Sequence, residues 1–206
     1  MLQIPTKLNL GSGKSWQADF LNVDINTQWK PDIQLDFGEA LQFETGQSYS
    51  SERFGSVVLK SNSFDSIIAY DVLEHIPNLT TCMKNCIDLL KPGGIMDVLV
   101  PYDLSFGAWQ DPTHVRAFNE KSWLYYTDWF WYLGWSQYRF VTDQLTLNLN
   151  PIGTELQNQQ ASIELIARTP RAVDSMSIKL RKIPLSVEDQ STLEQFTTMP
   201  DRGERG

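Results

Sequence analysis

Hydrophobic positions in the first hundred residues come in short runs, each cut off by glycine, proline or an acid. Thr6 to Leu10 ends in Gly11-Ser12-Gly13, Leu21 to Ile25 carries Asp24 near its end, and Ile33 to Phe37 alternates around Asp36. Phe64 to Asp71 and Ile95 to Pro101 have apolar centres. Runs of this length predict strands, and their near-continuous apolar character predicts a largely parallel sheet buried on both faces. Between the last two runs the period changes. Leu79, Met83, Cys86, Leu89 and Leu90 recur at helical spacing after Pro77, and Lys91-Pro92-Gly93-Gly94 stops that helix. Between Lys14 and Asp19 there is room for a single helical turn, too little for a full crossover helix.

The pattern is less regular elsewhere. Residues 44–56 read as an inserted surface loop, with Gln47 to Ser51 polar and turn-like. Residues 102–122 have no clear period, and 123–140 hold ten aromatics. Arg139 to Leu149 and Ser162 to Thr169 alternate like strands on either side of Asn150-Pro151-Ile152-Gly153. They predict an antiparallel pair closing the sheet. The expected organisation is an α/β domain over residues 1–170, flanked by helices, with an aromatic-rich insertion at 102–140. A C-terminal extension, 171–206, follows, and its end from Met199 is expected to be disordered.

Composition narrows the partners. The chain has 206 residues, a 41% hydrophobic share and a net charge of −8, with a pI near 4.7. An acidic balance without any Lys/Arg block argues against nucleic acid. No run approaches the length of a membrane span, and Met1 to Ile4 show no signal-peptide pattern, so a soluble, cytoplasmic protein with no membrane partner is expected. Cys82 and Cys86 are four apart on one helical face and read as free buried thiols. With two histidines in all, a Cys/His zinc site is not expected, and no metal is assigned.

The candidate chemistry starts at the glycine turn. A strand, a Gly-Ser-Gly turn and a second strand ending in an acid form the nucleotide crevice of an open α/β sheet. The full set of motifs goes further: Leu8 to Gly13, Leu21 to Ile25, Ser63 to Ile68, Val72-Leu73-Glu74-His75-Ile76, Leu89 to Gly94 and Asp111 to Phe118. In this order the chain resembles a class I S-adenosylmethionine-dependent methyltransferase, from a small bacterial group related to the type 11 methyltransferases. The resemblance covers about residues 6–169 and implies the Rossmann-like methyltransferase fold. It implies that S-adenosylmethionine is the cofactor and S-adenosylhomocysteine its product.

The roles that follow are those the resemblance implies. Gly11 and Gly13 let the backbone pass under the methionine part, Asp24 binds the ribose hydroxyls, and Asp36 with Phe37 meets the adenine. Asp71 faces the methionine moiety, with Glu74 and His75 just after it. Asn9 stands where the family carries an acid facing the methionine amine, and Lys14 also departs from the glycine motif. Each position has a competing structural role: Asp36 as a cap, Asp71 as a turn residue, His75 as a hydrogen-bonded structural group.

A hydroxyl acceptor needs a base, and His is the usual choice near pH 7. His114, with Arg116 beside it, is the imidazole away from the cofactor motifs, so both are assigned as catalytic, the competing role being to tie down their own loop. A small-molecule acceptor, a sugar or another hydroxyl, is expected. The aromatic stretch reads as core or as the contact of a homodimer, with a wall of the acceptor pocket as the alternative. Two further readings are a catalytically inactive, methyltransferase-like binding domain and an NAD-dependent oxidoreductase. The latter wants a third glycine where Trp16 stands and an acid later than Asp24.

Overall fold

The computed structural model describes residues 4–197. In chain order its elements begin with β1 (Lys7–Leu10), β2 (Leu21–Asp24) and β3 (Ile33–Gln34), then a hairpin of β4 (Gln47–Ser51) and β5 (Gly55–Leu59). Next come β6 (Phe64–Tyr70), α1 (Leu79–Leu89), β7 (Leu90–Pro101) and α2 (Gly107–Gln110). The chain continues through β8 (Tyr138–Leu149), α3 (Pro151–Asn158), α4 (Ile163–Arg168), β9 (Val173–Pro184) and α5 (Val187–Thr197). Seven strands form one sheet, ordered β3-β2-β1-β6-β7-β9-β8. The first five in that order pair in parallel. β9 runs antiparallel to both β7 and β8.

The parallel part forms where the apolar runs predict it. Leu8, Leu10, Leu21, Val23, Ile67 and Ala69 are all buried. α1 turns Leu79, Cys82, Met83, Cys86, Ile87 and Leu89 into the core. Truncating Met83 or Leu89 to alanine there costs about 2–5 kcal/mol. The link from β1 to β2 contains no helix, so the ends of the first two strands stay open to the space above the sheet. Among the described residues no helix is long and apolar enough to cross a membrane.

Four expectations are corrected. The loop expected at 44–56 is largely the β4–β5 hairpin, which hides Val57 and Leu59 and exposes Val58. The third strand stops at Gln34 because the Asp36 carboxylate accepts the Gly38 N–H at 2.7 Å and turns the chain. The strand expected from Ser162 to Thr169 is α4: Ser162 Oγ accepts the Leu165 N–H, capping a helix that local alternation disguises. Asn150 caps α3 in the same way, with Pro151 at its first turn.

The partner of β8 is therefore β9, from the stretch expected to lie outside the domain. β9 buries Met176, Ile178, Leu180 and Lys182 at period two and sits inside the sheet. Residues 198–206, with the tail expected to be disordered, fall outside the described residues.

Candidate functional site

β1 and β6 lie side by side, and the sheet is built outward from them in both directions. Ligands of open α/β sheets bind at such a switch point, beyond the carboxyl ends of the strands. A cavity of about 340 Å³ opens there. Gly11 leaves β1 at φ +61, where a Cβ would stand 2.5 Å from Val72 Cγ2. The turn thus needs glycine twice, for its backbone angle and for the approach of Val72. Gly13, at φ +44, has only the Gly11 carbonyl oxygen, at 3.8 Å, near its absent Cβ, which keeps this wall of the cavity open.

Asp24 ends β2 and is 8% exposed. Its Oδ2 accepts the Gly13 N–H at 2.8 Å and its Oδ1 accepts the Asn26 N–H at 2.7 Å. Each oxygen keeps a second lone pair, so a pinned carboxylate remains free to accept from a diol. Asp36 and the buried Phe37 close the cavity on the β3 side. Opposite them, Asp71 follows β6 at φ +54, a left-handed angle that costs a non-glycine residue about 1–3 kcal/mol. Its amide donates to the Leu99 carbonyl at 2.9 Å, which holds it there. Burial pushes the Asp71 carboxyl up, against the pull of His114 and His75.

A second group of side chains adjoins this cavity. The chain turns through Leu73–His75 after β6, and the loop after β7 docks on that turn, with the Val115 N–H donating to the Glu74 carbonyl at 2.9 Å. The His75 and His114 rings meet edge to face, 4.5 Å between centroids. His114 Nδ1 lies 3.1 Å from the Ala108 carbonyl, which leaves Nε2 as the nitrogen with the lone pair. Glu74 is buried, and desolvation pushes its carboxyl up to about 7.

The structure brings Gly11, Gly13 and Asp24 to one wall of the cavity, with Asp36 and Phe37 beside them and Asp71 and His75 facing them. Asn9 does not line it. Its side-chain N–H donates to the Ser15 carbonyl and to Asn22 Oδ1, bracing the turn from beneath. His114 does not line it either, being largely buried behind His75, and Arg116 is also elsewhere: its guanidinium donates to the Ile76 and Pro77 carbonyls, both at 2.7 Å, and fastens the loop. The aromatic stretch divides. Trp123, Tyr126, Phe130 and Trp135 are buried, whereas Tyr125, Trp129 and Tyr132 form an exposed cluster, and none of these lines the cavity. A larger cleft, about 840 Å³, lies around Asn62, Tyr138 and Lys182 near the start of β6, away from the glycine turn.

Glu74 is the side chain that the sequence names within a motif but gives no role. Nothing in the local pattern marks it as buried, since a charged residue in a short turn is ordinarily solvated. The signal available was its place directly beside His75 at the end of a buried strand.

Residues 8–97 match the family described as a methyltransferase domain. A protein from Mycolicibacterium smegmatis, described as a probable S-adenosylmethionine-dependent methyltransferase, is 27% identical over 121 residues. That stretch covers 54% of this chain and 46% of the relative, so the chain spans under half of the relative's length. The crystal structure of an S-adenosylmethionine-dependent methyltransferase from Archaeoglobus fulgidus superposes with a TM-score of 0.55 at 15% identity, over 86% of each chain. One from Mesorhizobium loti gives 0.51 at 12% identity, over 85% of this chain and 89% of the other.

Proposed function

We propose that this chain, which carries a class I methyltransferase domain, binds S-adenosylmethionine between β1 and β6 and methylates a hydroxyl of a small-molecule acceptor. The observation that carries the reading is the convergence of Gly11, Gly13 and a pinned Asp24 on one cavity at the switch point of the sheet. The residues present suit that cofactor. The cavity is of a size that holds a nucleoside-scale ligand, and the Asp24 carboxylate has acceptor capacity to spare for a ribose diol. Asp36 and Phe37 lie where an adenine edge and face would be met. Asn9, with its amide engaged by Ser15 and Asn22, shapes the turn and leaves the ligand's amine to Asp71.

When bound, the cofactor supplies a methyl group on a sulfonium sulfur that departs as a neutral thioether. The protein's share is to place the acceptor oxygen in line, exclude water and take the hydroxyl proton. In this reading His114 Nε2, which carries a lone pair, takes that proton; the ring does not itself line the cavity but lies against His75, which does. In the transfer the acceptor hydroxyl would give up its proton to the His114 imidazole. Arg116 supports His114 by holding their shared loop on Ile76 and Pro77.

Calorimetric titration with S-adenosylhomocysteine and S-adenosylmethionine, beside NAD, tests the reading. One site per chain for the sulfur ligands and no heat from NAD are expected; the reverse pattern, or no binding of either, overturns it. In an assay with hydroxyl acceptors, His114→Ala should lower turnover by roughly 10²- to 10⁴-fold while S-adenosylhomocysteine affinity holds.

A further inference from the structure

Three donors converge beside the cavity. Glu74, His75 and His114 each place one oxygen or nitrogen within 4.8 Å of the other two. Glu74 is 1% exposed, and both of its carboxylate oxygens lack a hydrogen-bond partner. A buried carboxylate in that condition either takes a proton or binds a cation. His114 Nε2 stands 4.0 Å from Glu74 Oε1, too far for a hydrogen bond. The gap is somewhat wider than the roughly 3.4 Å between neighbouring donors of a tetrahedral zinc, whose ligands lie at about 2.0–2.2 Å, so a small closing of the two side chains would admit the ion.

Both imidazoles are oriented from behind. The Ala108 carbonyl accepts a hydrogen bond from the His114 Nδ1–H. His75 Nδ1 lies 2.9 Å from Thr113 Oγ1, and that hydroxyl gives its own proton to Asp111 Oδ1 at 2.7 Å. Thr113 can then only accept from His75, which fixes the proton on Nδ1 and leaves Nε2 free. An imidazole backed by a carbonyl, and another by a hydroxyl–carboxylate relay, is the outer arrangement of metal-binding histidines. Asp71 and Asp111 add negative charge around the same three side chains.

We propose that Glu74, His75 and His114 bind one divalent first-row transition metal, with Zn²⁺ the best match to two imidazoles and a carboxylate. Three protein donors leave a coordination position open, and one of the three, His75, forms part of the cavity wall. The site's existence is independent of the methyl-transfer reading; its use rests on it. A metal there would hold the acceptor hydroxyl and lower its pKa, the proton going to solvent, and His114 would serve as a ligand instead of as the base.

The test is calorimetric titration of the chelator-treated chain with ZnCl₂, run in parallel with S-adenosylhomocysteine. One Zn²⁺ per chain is expected, with affinity weakened at least ~100-fold in Glu74→Gln and in His114→Gln, and ~10- to 100-fold in Asp111→Asn. Co²⁺ in place of Zn²⁺ should give a visible absorption band that His114→Gln removes. Wild-type protein that takes up no Zn²⁺, or variants at both Glu74 and His114 that keep full affinity, overturn the site. If Glu74→Gln does not fold, His114→Gln decides by the same two readouts. S-adenosylhomocysteine binding without Zn²⁺ binding sinks the metal site alone, and Zn²⁺ binding without S-adenosylhomocysteine binding sinks the cofactor reading alone.

Discussion

The two sides of the cavity are made in different ways. On the β1–β3 side the ligand-facing surface is mostly backbone, set by two glycine angles and by one carboxylate tied to the chain at both oxygens. The facing wall is the turn from Asp71 to Pro77, and the loop after β7 docks behind that turn across long sequence distances, with Arg116 on Ile76 and Pro77 and His114 against His75. A surface made by the backbone is set by local sequence and has little freedom once the strands pair. A surface made by docking depends on contacts between distant parts of the chain, and it can vary while the first side stays fixed. In the methyl-transfer reading proposed above, acceptor choice would belong to the turn after β6 and the loop docked behind it.

The largest expected effect tests the backbone side. Gly11→Val adds a side chain at a left-handed angle and against Val72, so S-adenosylhomocysteine affinity should fall beyond the range of calorimetry. Normal affinity in a folded Gly11→Val protein would show that the turn is not the cradle. Next is Asp24→Ala, which removes charge-assisted hydrogen bonds worth about 1.5–3 kcal/mol each and should weaken S-adenosylhomocysteine at least roughly tenfold. An unchanged Kd would take the ribose off this residue.

Arg116→Ala sharpens the contrast from the other side. It should lower stability by about 1.5–3 kcal/mol in denaturant titration, through loss of two charged hydrogen bonds, while cofactor affinity changes little. A large loss of cofactor affinity at unchanged stability would merge the two sides into one.

The smallest effect is a control from outside both. Lys182 is buried, its ammonium donates to Asn62 and to the Leu90 carbonyl, and burial pushes it down to about 8 from an ordinary 10.5. Above pH 8 the unfolded chain holds this proton more tightly than the folded one, so stability should rise with pH up to about 10.5. The gain is about 1 kcal/mol from about pH 8 to about pH 9, and it should vanish in Lys182→Met. Equal pH slopes for both proteins would rule out Lys182 as its source.

How much of this the sequence discloses follows the same division. β1, β2, β6 and α1 are legible because each has one period, a clear stop and near-total burial. The cavity wall from Gly11 to Asp24 is legible for the same reason, as strand ends define it. α4 is not, because its six residues alternate by accident and the Ser162 cap outweighs the alternation. β9 is masked by the polar side chains between its buried positions, and one buried position is itself a lysine. Asn9 and Arg116 show the limit at the level of the site. Their residue types suit ligand binding, but their partners, Asn22, Ser15, Ile76 and Pro77, are known only once the chain is folded. Glu74 is the converse case, a charge that only the docked loop encloses.

The placement of β9 between β7 and β8 also sets an order of events in synthesis. β1, β2, β3, β6 and β7 can pair as soon as residue 101 has been made, but β8 has no strand beside it until residues 173–184 arrive. Until then β7 presents an unpaired edge, and β8 waits as a free segment, the arrangement in which strands recruit neighbouring chains. A chain interrupted anywhere between residues 102 and 172 should thus emerge with its glycine turn formed, its sheet open along β7, and a strong tendency to aggregate.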